Sequence, residues 1–142
     1  MERKTIKYIG FYDTAVSQTD RVCNLAATNK MNYNADTLVE AGYEVQFISP
    51  SWMGDQTKVP FELQKTLKID KHKSVTYCPS WKTRAKIARN IKILIALVWL
   101  FIYLVITTKK NEKVIAYHVQ WISLPVRMAK SIRKFYLVLE VE

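Results

Sequence analysis

The sequence contains little glycine: three residues in 142, at Gly10, Gly42 and Gly54. They lie too far apart to form the glycine-rich turn that binds phosphate in dinucleotide-binding and Walker-type loops. The sequence also lacks a Gly-x-Ser-x-Gly nucleophile motif and any cysteine and histidine spacing typical of zinc sites. We therefore predict neither a resident cofactor nor a metal.

Cysteine is also scarce, with only Cys23 and Cys78 in the chain. Two distant cysteines do not form a disulfide framework, and free thiols are typical of the reducing cytosol. The amino terminus is charged, and no apolar segment of signal-peptide length follows it. Both absences favour a cytoplasmic location.

Acidic residues are almost absent from one part of the chain. Residues 82–134 contain twelve Lys and Arg residues and one acid, Glu112, whereas the net charge of the whole chain is +10. Such a concentration of positive charge indicates an anionic partner, either nucleic acid or an acidic lipid surface. A solvated basic face is the simpler alternative. Because no nucleic-acid recognition motif is present, we favour lipid and predict no nucleic-acid partner.

A long apolar run lies inside this basic region. Residues 93–106 are uncharged and almost wholly apolar, and Thr107 and Thr108 extend the uncharged run to 16 residues. A membrane-spanning helix needs about 20 such residues, whereas about 10–14 are more typical of a buried or interfacial helix. Sixteen helical residues reach roughly 24 Å, which is less than a hydrocarbon core of roughly 30 Å. We favour a buried or interfacial helix; the alternative is a transmembrane helix near residues 91–108 in a non-enzymatic, membrane-anchored protein.

Basic residues flank the apolar run on both sides. Long cationic side chains at the ends of an apolar helix can keep their charges in the lipid headgroup region. We therefore predict a set of residues that contact an anionic membrane surface: Lys82, Arg84, Lys86, Arg89, Lys92, Lys109 and Lys110.

The hydrophobic pattern predicts strands that alternate with helices. This alternation favours an α/β fold with a Rossmann-like, open and mainly parallel sheet that has helices on both faces. A chain of this length fits a single domain. Because the last predicted strand, 135–141, is followed by only one residue and no helix, we expect a fragment of a longer two-domain chain. The predicted strands are 7–12, 43–48, 113–117 and 135–141; the predicted hairpin is 64–69 with 74–78; the predicted loops are 13–28 and 51–63; and the predicted helices are 29–41, 82–109 and 122–131, with Asn29 capping the first and Pro125 in the first turn of the last.

Polar residues follow the predicted strands at the edge where open α/β sheets bind ligands. His118 follows strand 113–117 and can act as an acid, a base or a hydrogen-bond donor to a sugar or phosphate. Asp13 and Thr14 follow the first strand, and Glu140 lies at the end of the last one. Trp121 lies in or beside a loop at the same edge, where an aromatic ring can stack on a sugar. Turn capping, solvation and core packing are the structural alternatives for these residues.

Short motifs occur along the chain in a characteristic order: YIGFYD (8–13), AATNKM (26–31), AGYEV (41–45), ISPS (48–51), AYH (116–118) and LEVE (139–142). In this order they resemble the amino-terminal half of a GT-B-fold glycosyltransferase. The resemblance covers most of the chain and is strongest to bacterial retaining enzymes, often assigned to glycosyltransferase family 1 or 4, that build surface polysaccharides.

The resemblance implies that this domain binds the acceptor, while a carboxyl-terminal domain with paired glutamates binds the nucleotide-sugar donor. His118 matches the family's histidine near the transferred sugar and is the predicted catalytic residue. Asp13 and Thr14 match the loop near the donor phosphates, although the glycines usual there are absent. Because acceptors in the family are often lipid-linked, the resemblance also implies peripheral attachment to the cytoplasmic face of the inner membrane. Residues 1–142 alone are expected to be inactive.

Overall fold

The computed structural model describes residues 4–12, 25–52, 61–81, 86–108, 112–117, 120–133 and 135–140. Within these ranges the chain forms eight strands and three helices. In chain order they are β1 (Thr5–Ile9), α1 (Leu25–Glu40), β2 (Glu44–Ser49), β3 (Phe61–Glu62), β4 (Lys65–Lys68), β5 (Lys73–Tyr77), β6 (Ser80–Trp81), α2 (Lys86–Thr107), β7 (Lys113–Tyr117), α3 (Gln120–Arg133) and β8 (Tyr136–Glu140).

Six of the strands form one sheet in the order β4-β5-β2-β1-β7-β8. Every neighbouring pair in it is parallel except β4 and β5, which form the predicted antiparallel hairpin. The prediction of an α/β fold with a mainly parallel sheet is confirmed. Along the five parallel strands, the chain places β2 and then β5 on one side of β1, and β7 and then β8 on the other. This order is compatible with a Rossmann-like sheet.

Helices cover both faces of the sheet, as predicted. Successive side chains of a strand point to opposite faces, so Tyr8 and Ile9 of β1 belong to different cores. Tyr8 lies in the core beneath α1, with Met31 and Ala35 of that helix. The second core lies beneath α2 and α3 and is formed by Ile9, Ile48, Leu100, Leu104, Val114, Ala116, Val126, Ala129 and Phe135.

Gly42 ends α1 at the predicted position. Its φ of 100° lies in the left-handed region, which side chains with a Cβ rarely adopt. The Gly42 N–H donates to the Val39 carbonyl at 3.0 Å, and the Tyr43 N–H donates to the Leu38 carbonyl at 3.1 Å. These two bonds form a Schellman motif, which satisfies carbonyls at the end of the helix.

Three local predictions are wrong. Helix α1 includes Leu25, so Asn29 lies inside it and does not cap it; Ala26 and Ala27 are strong helix formers and extend the helix backwards. Helix α3 starts at Gln120, which puts Pro125 in the second turn. Pro125 is the sixth residue of the helix, so the cost of its missing N–H falls near the start of the helix. The third error is the short antiparallel ladder of β3 and β6, in segments predicted to be irregular.

Candidate functional site

The carboxyl ends of β1 and β7 lie side by side. Ile9 pairs with Ala116 in this parallel ladder, so both strands leave the sheet at the same edge. The strand order reverses between them, because β1 leads to β2 on one side while β7 lies on the other. Ligands of open α/β sheets bind at such a reversal. The residues predicted to act there, Asp13, Thr14 and His118, follow these two strand ends and lie outside the described residues.

A cluster of buried hydroxyls fixes the path of the chain as it leaves β1. The Ser49 hydroxyl accepts a hydrogen bond from the Tyr12 N–H at 3.1 Å and donates to the Tyr12 carbonyl at 2.7 Å. Its oxygen lies 2.6 Å from the Ser51 hydroxyl oxygen. All three residues are buried. The backbone that leads to Asp13 and Thr14 is therefore held against the end of β2.

The side chain of Tyr12 joins the same edge to α1. Its ring stacks on Phe47 with centroids 4.2 Å apart and an interplanar angle of 11°. Its hydroxyl donates to Oδ1 of Asn32 at 2.7 Å. A stacked, hydrogen-bonded and fully buried tyrosine provides a rigid support beneath the edge of the sheet.

Gly10 allows α1 and β7 to approach the end of β1. A Cβ at this position would lie 2.7 Å from Sδ of Met31 and 3.3 Å from Cβ of Tyr117. Any larger residue would displace Met31 from a fully buried site. Gly10 lies within the predicted strand 7–12, and glycine in a strand often marks close approach of another segment.

The other two predicted ligand-binding residues lie in regular elements. Glu140 is the last residue of β8 and pairs with Tyr117, so its backbone belongs to the same edge as the end of β7. Trp121 lies in the first turn of α3, directly after the connection from β7. The structure thus puts both backbone positions near this edge; their side chains lie outside the described part of the chain.

The predicted membrane-contacting cations fall into three groups. Arg89 is exposed, as expected, and Lys86 lies in the first turn of α2. Lys92 is 2% exposed, so its assignment to the membrane surface is wrong. Helix phase explains the error, because Lys92 shares the four-residue spacing of the buried Ala96. Lys82, Arg84, Lys109 and Lys110 lie outside the described residues.

Helix α2 has one buried and one exposed apolar face. Leu100 and Leu104 are fully buried against the sheet, and the Tyr103 hydroxyl accepts a hydrogen bond from Nε2 of Gln46 at 2.7 Å. We call the opposite side the outer face of α2. It consists of seven exposed apolar side chains: Ile87, Ile91, Leu94, Ile95, Val98, Ile102 and Ile106. The segment Arg89–Thr107, with a mean hydropathy of 2.2, is long and apolar enough to cross a membrane by composition alone.

Lys7 anchors the carboxyl end of α2 to β1. Its Nζ donates to Oγ1 of Thr108 at 2.9 Å and of Thr107 at 3.1 Å, and lies 3.6 Å from Oε1 of Glu112. The Lys7 residue is 3% exposed. Burial lowers the pKa of Lys7 below 10.5, and the nearby Glu112 carboxylate partly opposes this shift. The anchor thus contains a charge whose burial is compensated by one carboxylate and two hydroxyls.

Replacing Glu112 with glutamine is expected to lower the free energy of unfolding by about 1–3 kcal/mol, because the buried Lys7 ammonium loses its counter-charge. Chemical unfolding of the purified chain at neutral pH measures this difference. The loss should shrink as the pH rises through the folded-state pKa of Lys7, where the amine becomes neutral. In the unsubstituted chain the unfolded state binds this proton more tightly, so the Lys7 contribution to stability rises with pH between its folded pKa and 10.5.

The matched control is Asp36→Asn, which removes the carboxylate 2.7 Å from Nζ of Lys73. Asp36 is 63% exposed at its side chain, so its loss is expected to change stability by less than about 1 kcal/mol. Equal effects of Glu112→Gln and Asp36→Asn would show that the Lys7 ion pair behaves as a surface pair.

Within the described residues there is no cluster of three His, Cys, Asp or Glu side chains that could hold a metal ion. What the described residues show at these strand ends is the pairing of Ile9 with Ala116 and the buried hydroxyls that hold Tyr12 against Ser49. Comparisons of the chain with protein-family models, with curated proteins and with solved structures found no match.

Proposed function

We propose that the chain is the acceptor-binding half of a nucleotide-sugar-dependent glycosyltransferase that works at the cytoplasmic face of the inner membrane. One observation carries the proposal: the adjacent carboxyl ends of β1 and β7, at the point where the strand order reverses. This edge is where an open α/β sheet binds its ligand. It is also where the chain continues into Asp13, Thr14 and His118.

Each residue then has a role in the proposed site. His118 exchanges a proton or a hydrogen bond with the transferred sugar. Asp13 and Thr14 contribute acceptors and a hydroxyl donor from the neighbouring strand end. Trp121 supplies an aromatic surface for a sugar ring, and Glu140 accepts hydrogen bonds from sugar hydroxyls. The nucleotide-sugar donor binds mainly to a second domain, so this half alone does not turn over.

The proposed acceptor is a sugar carried by a lipid. The apolar outer face of α2 and the basic region of residues 82–134 support a position at an anionic membrane surface. A soluble domain bound there can reach an acceptor whose sugar extends from the bilayer.

The test is binding of a polyprenyl-diphosphate-linked monosaccharide in detergent micelles to residues 1–142. We expect His118→Ala to weaken binding by about tenfold, the effect of losing one well-placed polar contact. The chain has two histidines, so His72→Ala is the matched control. His72 lies directly before β5, at the amino-terminal ends of the parallel strands and so at the far end of the sheet from the candidate site. The His72→Ala substitution should therefore leave acceptor binding within about twofold.

Two results would contradict the proposal. One is equal binding by the His118→Ala and unsubstituted chains. The other is sugar transfer from a nucleotide sugar by residues 1–142 alone, because that would show that no second domain is needed.

A further inference from the structure

We infer that the outer face of α2 is a lipid-contacting surface and that α2 lies in the plane of an anionic bilayer rather than crossing it. The inference deepens the membrane part of the proposed function, and it does not depend on sugar transfer. The packing of α2 favours an interfacial helix over a spanning one.

The two helical layers of the domain differ sharply in exposed apolar surface. On α1, Tyr33 is the one large hydrophobic residue that is exposed among the side chains described. On α2 there are seven, and α3 in the same layer adds Leu124, Met128 and Ile132. Both layers belong to one folded chain, so the surface of α1 shows what a water-facing helix looks like in this protein. The outer face of α2 does not follow that pattern.

The exposed side chains of α2 form one continuous stripe. Ile87, Ile91, Leu94, Val98, Ile102 and Ile106 recur every three or four residues, which places them on one side of the helix. From Ile87 to Ile106 the stripe is roughly 28 Å long. No charged side chain occurs between Lys92 and the end of the helix, and Lys92 itself is buried.

Charge identifies the occupant as an anionic surface. Neither α2 nor α3 contains an acidic residue, and Arg89, Arg127, Lys130 and Arg133 are exposed on this layer. In contrast, α1 contains two acidic residues, Asp36 and Glu40, and one basic residue, Lys30. A second copy of this chain would bring like charges together. A long apolar stripe with a basic surround and few hydrogen-bonding groups is instead the pattern of an interfacial membrane helix.

The packing of α2 sets its orientation. A spanning helix would have to leave the sheet, which would expose Leu100, Leu104 and the core beneath them. It would also break the hydrogen bond from Gln46 to Tyr103 and the one from Nε1 of Trp99 to Oε1 of Gln64, 2.7 Å long. With the inner face held on the sheet, only the outer face is available to lipid. The helix axis therefore lies along the membrane surface.

The first test is flotation of residues 1–142 with vesicles of phosphatidylcholine, with and without phosphatidylglycerol. We expect binding to the anionic vesicles, and a fall of at least about tenfold for the double variant Leu94→Glu, Ile102→Glu. The control is Tyr33→Glu, one apolar-to-acid change at a 73% exposed site on the opposite layer, which should stay within about twofold; the single variant Leu94→Glu, with the same added charge, should bind more weakly than this control. Far-UV circular dichroism checks that each variant is folded.

The second test measures depth along the helix. Single cysteines at Ile91, Val98 and Ile106 carry a bimane label, in a chain with Cys23→Ser and Cys78→Ala, and brominated lipids quench it. An in-plane helix puts the three labels at one depth. A spanning helix puts Val98 roughly 10 Å deeper than both ends, and it resists alkaline carbonate extraction.

The outcomes separate this inference from the proposed function. Absence of binding to anionic vesicles, equal loss of binding in the Tyr33→Glu control, or a depth maximum at Val98 overturns the inference. Absence of vesicle binding would also remove the support for a position at the membrane, but none of these results bears on acceptor binding in detergent micelles. Conversely, loss of the His118 effect in micelles would overturn the proposed function and leave the lipid surface in place.

Discussion

Replacing Leu100 with alanine is expected to lower the free energy of unfolding by about 2–5 kcal/mol, the range for deleting a buried leucine. The same replacement at Leu94 is expected to change it by less than about 0.5 kcal/mol. The two leucines lie in the same helix, but Leu100 is fully buried in the core beneath α2, whereas Leu94 is 61% exposed. Urea unfolding of both variants measures the difference.

The pair also provides its own control, because both substitutions delete the same atoms from the same helix. Vesicle binding should show the reverse order, with a loss for Leu94→Ala and none for folded Leu100→Ala. Similar stability losses at both positions would contradict the two-sided packing of α2. Similar vesicle binding would contradict the lipid-contacting role of its outer face.

Replacing Phe47 with alanine is expected to lower the free energy of unfolding by about 3–5 kcal/mol. Phe47 is fully buried in the core beneath α1, where its ring lies 4.2 Å from that of Tyr12 and 5.8 Å from that of Tyr8. Deleting the ring removes both aromatic contacts and leaves a cavity beneath the strand ends of the candidate site. Because Tyr12 directly precedes Asp13, micellar acceptor binding should also weaken at temperatures where the variant remains folded.

Two variants accompany this measurement. Phe47→Leu keeps most of the apolar volume and is expected to cost less than Phe47→Ala. Tyr33→Ala removes an aromatic ring from an exposed site on α1 and should change stability by less than about 0.5 kcal/mol. A Phe47→Ala cost no greater than that of Tyr33→Ala would show that the stacked pair does not support this part of the fold.

The layered fold could be predicted because local pattern and tertiary packing agree along most of the chain. The apolar strand Lys113–Tyr117 has the bounds that its composition predicts. Gly42 ends α1 where a left-handed residue is required. The β3 and β6 ladder could not be predicted, because two-residue strands carry no periodic signal. The start of α1 was missed because Asn29 is also tolerated inside a helix.

The candidate site was predictable only in part. The end of the strand that precedes His118 could be identified because Lys113–Tyr117 is a buried apolar run. The first strand was predicted to reach Tyr12, but it ends at Ile9, where the chain leaves the ladder. Lys92 was misassigned because charge flanking an apolar run does not reveal helix phase, which the packing of Leu100 and Leu104 decides. Ser49 was missed because its partner, Tyr12, is 37 positions away. Lys7 was missed for the same reason, since its partner Thr108 is 101 positions away.

The two edge strands of the six-stranded sheet, β4 and β8, differ in how readily an additional strand could pair with them. On one side the sheet ends with β4, a four-residue strand with the sequence Lys-Thr-Leu-Lys. Lysines and short length are features by which edge strands resist aggregation. On the other side it ends with β8, whose sequence Tyr-Leu-Val-Leu-Glu is apolar, and no other strand in the described part of the chain pairs with its outer side. Strand addition from this or another polypeptide is therefore favoured at β8 and disfavoured at β4.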